Sequence, residues 1–225
     1  MSNIQVRAQQ LTPGRSPDSN WVALRASRDG SPIVVPWFQA LVLEGRVFQA
    51  IGPEQLTITN TPMTLLALST VDTAAAIFVD IADGTAVLPL EAYGNYQATG
   101  AAIAQAWLVL SDTLVTTAGT ETSTSIRNLN RAAPVTSAGT AAHTASGEAD
   151  HISGAEVFLY QHATSFDVDA AADSGNERFY WKAADNGYAA IGVDGSSYVL
   201  RLGPTTSGTG WASLTWAELP ESAVL

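Results

Sequence analysis

The sequence predicts an all-β sandwich, and three observations carry that reading. Apolar residues recur at spacing two or in short blocks, as in Gln55-Leu56-Thr57-Ile58-Thr59, which puts Leu56 and Ile58 on one face of an extended chain. Turn dipeptides such as Asp83-Gly84, Asn186-Gly187 and Asp194-Gly195 punctuate the chain roughly every 8 to 12 residues, the spacing of a sandwich or barrel. Apolar positions do not repeat at i, i+3, i+4 and i+7 over any long stretch, so no long amphipathic helix is expected.

The elements follow in order. Residues 1–20 are polar and dense in turn formers, with Thr12-Pro13-Gly14 and Ser16-Pro17-Asp18 among them, and read as an extended N-terminal arm. Residues 21–225 read as one domain. A hairpin is expected from 21–27 and 33–35 around Asp29-Gly30, and the apolar run 37–43 is expected as a buried strand ended by Glu44-Gly45. Strands are predicted at 46–51, 55–59, 63–68, 76–81, 85–90 and 103–110; the alanine-rich start of 98–110 also suits a short helix, with strand expected from Trp107. The stretch 111–154 is mostly Ser, Thr, Ala and Gly and reads as one long connection, ordered by contact with a neighbouring molecule. Strands resume at 156–162, 178–183, 188–193, 198–202 and 211–219. A jelly roll accounts best for the strand count and the single long excursion; an immunoglobulin-like sandwich and an up-and-down barrel stay open.

Composition narrows the function. At 225 residues the chain is long enough for a sizeable core. Hydrophobic residues make up 46% and charged residues only 14%, where about 25% charged is usual. Much of the surface must therefore be small and neutral, which suits a subunit covered by copies of itself in a homo-oligomer. The net charge is −11, with Lys182 the only lysine, so phosphate neutralisation and sequence-specific nucleic-acid binding are not expected. Cysteine is absent, which excludes disulfides, a thiol nucleophile and zinc–thiolate sites. No run approaches the ~18 apolar residues of a membrane span, and the N-terminus lacks the pattern of a signal peptide, so synthesis in the cytoplasm is expected.

Catalytic patterns are missing. No Gly-x-Ser-x-Gly elbow occurs, and His143 and His151, which flank Glu148 and Asp150, match no compact zinc spacing. Asp167, Asp169 and Asp173 are calcium candidates, but counting from Asp167 the fifth position is Ala171 and the twelfth is Arg178, so this is no EF-hand. Neither a metal nor a cofactor is expected. For subunit contacts the candidates are Arg7 and Arg15 in the arm, Arg127 and Arg131 in the long connection, and Trp211 and Trp216 near the C-terminus. Alternation puts Trp211 and Trp216 on opposite faces, one in the core and the other free for a contact. Arg127 and Arg131 are the only charges between Glu121 and Glu148, and at least one is expected to pair with a carboxylate of an adjacent copy.

The block Val42-Leu-Glu-Gly-Arg-Val-Phe48, the Ser/Thr/Ala/Gly connections and the closing Trp211-Ala-Ser-Leu-Thr-Trp-Ala-Glu-Leu-Pro220 together resemble bacteriophage virion structural proteins of the jelly-roll capsid or head-decoration kind. The resemblance implies a non-enzymatic protein that assembles into an icosahedral shell with copies of itself and other virion proteins, and that resides in the virion. A second class fits the same texture: a phage receptor-binding, tail or carbohydrate-binding β-sandwich. That class requires exposed aromatic rings beside polar groups.

Overall fold

Strands dominate the computed structural model, which describes residues 5–7, 21–23, 37–52, 56–58, 75–99, 102–117, 121–132, 135–144, 150–151, 156–166, 174–186, 190–202 and 208–224. In chain order they form β1 (Gln5–Arg7), β2 (Trp21–Ala23), α1 (Trp37–Leu43), β3 (Val47–Ile51), β4 (Leu56–Ile58), β5 (Ala75–Asp80), β6 (Thr85–Thr99) and β7 (Ala102–Ser111). Short strands follow: β8 (Thr116–Thr117), β9 (Glu121–Ser123), β10 (Ile126–Asn128), β11 (Thr140–Thr144) and β12 (Asp150–His151). The last elements are β13 (Glu156–Phe166), β14 (Ser174–Lys182), α2 (Ala183–Asn186), β15 (Ser197–Leu202) and β16 (Gly208–Pro220).

Two antiparallel sheets pack face to face. Sheet I has the order β10-β3-β16-β6-β14, with β4 on the first residues of β16; sheet II has the order β13-β7-β15-β5-β11-β9. The eight principal strands pair in a nested way: β3 with β16, β5 with β15, β6 with β14, and β7 with β13. First pairs with last, second with seventh, third with sixth and fourth with fifth. This is the connectivity of one long antiparallel ribbon folded over on itself.

The core lies between the sheets. Phe48, Tyr96, Phe179, Leu214 and Trp216 from sheet I meet Ile77, Val79, Leu108, Tyr198 and Leu200 from sheet II. On β6 a bulge opposite Thr215 and Trp216 shifts the register between Glu91 and Pro89. The extra residue reverses the alternation, so Val87 before it and Ala92 after it both enter the same core. A bulge also relieves the ladder of the N–H that Pro89 lacks.

Three expectations are corrected. Residues 37–43 form a helix, not a buried strand. Phe38, Leu41 and Val42 stand at helical spacing and pack with Val47, Leu90 and Ala217 on the outer face of sheet I. Gly45, at φ 70°, then turns the chain into β3. Residues 190–193 form no strand; they contribute one bridge, between Gly192 and Val87. The third correction concerns 111–154, which is no plain connection. Ser111 ends β7, and the segment carries β8 to β12, of which β10 adds to β3 while β11 and β9 extend sheet II beyond β5. Strand addition needs only backbone donors and acceptors, so Ser, Thr and Ala suffice where a core would need larger side chains. The strand expected at 63–68 and the turn at Asp29-Gly30 lie outside the described residues. Of the arm, Gln5–Arg7 pairs with Trp21–Ala23 in a separate two-stranded sheet.

Candidate functional site

The edge of the sandwich formed by the connection is the most developed surface feature. Side chains alternate along 126–131: Ile126, Asn128 and Asn130 are half-buried, whereas Arg127, Leu129 and Arg131 face solvent. Backbone and amide bonds fix this strip in place. Leu129 N–H donates to the Val47 carbonyl at 2.9 Å, and Asn128 Nδ2 donates to Gly45 O at 2.7 Å and to Val135 O at 2.9 Å. Asn130 Nδ2 reaches Leu43 O at 2.9 Å. The outward side chains of Leu43 (57% exposed), Leu129 (38%) and Val135 (54%) are thereby tied into one neighbourhood with the two arginines.

Beneath the strip, Glu218 anchors the segment after it. Its carboxylate accepts from Ser137 Oγ at 2.5 Å, from Ala138 N–H at 2.9 Å and from the Trp216 indole N–H at 2.9 Å. Gly139 lies so near β5 that a Cβ there would meet the Asp80 carbonyl oxygen at 2.8 Å. Between 123–128 and 135–141 opens a groove of about 470 Å³, in which Ser123, Thr124, Asn128, Ser137 and Thr140 stand over Phe48. Among the described residues that line it, none is titratable. His143 sits nearby on β11, its Nδ1 3.2 Å from Thr124 Oγ1, and burial lowers its pKa.

The expected contact residues separate. Arg127 and Arg131 are exposed, and neither has an ion pair among the described residues. Trp216 is 2% exposed and belongs to the core, which removes it from the candidate contacts: it alternates inward with Ala212 and Leu214. Trp211 takes the opposite, outer face, as alternation implies, and stacks on Tyr93 with centroids 4.7 Å apart. Arg7 lies opposite Trp21 in the β1–β2 ladder. Arg15, Asp167, Asp169 and Asp173 lie outside the described residues. Asp150 and His151 form β12 against β8. Among the described residues no group of three or more His, Asp or Glu side chains is placed to hold a metal, and no helix is long and apolar enough to cross a membrane.

The histidine at 162 is a further departure. It lies within β13, not at its end, stacked on Tyr160, edge-on to Phe179 and 3.6 Å from Glu177 on β14. Neither a protein-family model nor a curated protein matches the chain.

Proposed function

We propose that the chain is a non-enzymatic structural protein of a viral shell, that its sandwich is a jelly roll, and that copies associate through the edge bearing Arg127, Leu129 and Arg131. The nested pairing of eight strands supports the jelly roll, an architecture common in capsid and lectin domains. One observation carries the assembly. In a chain of net charge −11, two arginines without a carboxylate partner among the described residues flank an exposed apolar strip on a hydrogen-bonded, fixed backbone. Arginine and apolar groups are what a contact centre collects, and the acidic remainder of another copy offers the complementary charge. A patch that meets a different patch makes a head-to-tail contact, which closes into rings or shells when the rotation allows.

Light scattering and negative-stain electron microscopy of the purified protein, with and without calcium, test the proposal. Rings or closed particles that the double substitution Arg127→Glu/Arg131→Glu converts to folded monomers are expected. A wild-type chain that stays monomeric at every concentration would sink it.

A further inference from the structure

The outer face of sheet I carries a second surface, whose aromatic rings lie on β16, β6 and β14. Its side chains fall into rows set by the strand register. Gln49, Thr215, Glu91 and Lys182 make the first row, and Ile51, Ser213, Tyr93 and Tyr180 the second. Trp211, Asn95 and Arg178 make the third, and Thr209, Gln97 and Asn176 the fourth. Among the described residues, helix α1 packs on this face around Val47, Leu90 and Ala217. Beyond that end Tyr180 is 49% exposed, with its ring 6.4 Å from Tyr93, which in turn stacks on Trp211; Tyr93 and Trp211 are half-buried.

Polar groups hem the rings on both sides. Lys182 pairs with Glu91 at 3.3 Å in the first row. Asn95 Nδ2 donates to Asn176 Oδ1 at 2.8 Å, which leaves the Asn95 carbonyl and the Asn176 amino group without a partner among the described residues. Gln97 and Arg178 are exposed beside them. At ~4.8 Å per strand a row across four strands is ~14 Å long, but the ring-bearing strip is only one or two side chains wide.

We propose that this face binds an oligosaccharide of pyranose units. A pyranose presents an apolar C–H face and a rim of hydroxyls. Tyr180, Tyr93 and Trp211 supply flat apolar surface for the first, and the amides of Asn95, Gln97 and Asn176 with the Arg178 guanidinium supply paired donors and acceptors for the second. A protein partner fits less well, because the centre of a protein interface is depleted of charge over a broad apolar area, and here charged and amide groups enclose a narrow strip. The length of the strip suits a short chain of sugars better than a single one. Arg127 stands on the same outer face, opposite Gln49, but on β10 at the other margin of sheet I, whereas the rings lie on β16, β6 and β14.

The test is an array of neutral and uronic-acid-containing oligosaccharides probed with the wild-type protein, followed by titration of the strongest binder while Trp fluorescence is read. Tyr180→Ala is expected to weaken that binding at least tenfold while melting temperature and particle size stay unchanged, whether the bound chain is neutral or acidic. Trp211→Ala is the second variant, needed if the first is silent. The proposal is overturned if no array member binds, if both variants bind as the wild type does, or if Tyr180→Ala disperses the particles, which would make this face a subunit contact.

Discussion

Trp216 donates its indole N–H to Glu218 at 2.9 Å, and the same carboxylate holds Ser137 and Ala138 of the long connection. One side chain of the last strand therefore ties the core to the segment that builds the assembly edge. Glu218→Gln preserves the shape but replaces one acceptor oxygen with an N–H donor, so a donor faces either Ala138 N–H or the Ser137 and Trp216 donors. We expect a loss of about 2 kcal/mol, read as a lower urea midpoint at unchanged m-value. An unaltered midpoint would show that the carboxylate does not hold the segment.

High pH should destabilise the fold. Burial pushes the Tyr96 hydroxyl up to about 12, against about 10 in an unfolded chain, and burial raises Tyr160 and Tyr198 as well. Above pH 10 the unfolded chain releases the Tyr96 proton while the folded chain keeps it. Stability from this group is thus intact below pH 10 and is lost as the pH climbs towards 12, by about 2 to 3 kcal/mol. Thermal melts from pH 9 to 12 should show that decline, and Tyr96→Phe should make it shallower, the remainder coming from Tyr160 and Tyr198.

Much of this architecture was legible in the sequence. Asp83-Gly84 and Asp194-Gly195 form their turns with Gly84 and Gly195 at positive φ, and alternation correctly separated Trp211 from Trp216. The helix at Trp37–Leu43 was hidden because its apolar residues are nearly continuous, and such a run does not distinguish 3.6 from 2 as a period. The strands of the connection were missed because their side chains carry no apolar alternation; only the free edges of β3 and β5 explain them. The ring surface was missed for a different reason. Tyr93 and Tyr180 sit on strands far apart in sequence, and only the register that places one opposite the other brings the rings together. The signal that was available is the spacing of Tyr93 and Asn95 on one face of β6.

The assembly edge predicts a salt dependence. Arg127 and Arg131 are exposed, so their attraction to carboxylates of another copy is screened over ~8 Å at physiological ionic strength and over less at higher salt. Sedimentation velocity should show the assembled fraction falling as sodium chloride is raised towards ~1 M. Assembly that strengthens steadily with salt would mean that Leu43, Leu129 and Val135 dominate the contact and that the arginines contribute little.

The ladders of the connection make a prediction about the free subunit. A segment of Ser, Thr, Ala and Gly without partners would exchange its amide hydrogens at once, because little offsets the ~1 to 2 kcal/mol needed to order each residue. Here the partners come from the same chain: Thr124 N–H donates to Ala141 O at 2.8 Å, Leu129 N–H to Val47 O, and β11 lies between β5 and β9. Hydrogen exchange of the monomeric Arg127→Glu/Arg131→Glu protein should therefore find Thr124, Leu129 and the β11 ladder already protected, while Arg131, exposed beyond the end of β10, exchanges fast. In the assembled protein the additional protection should fall on 126–132. Rapid exchange throughout 121–144 in the monomer, with protection only in particles, would show instead that neighbours supply the order.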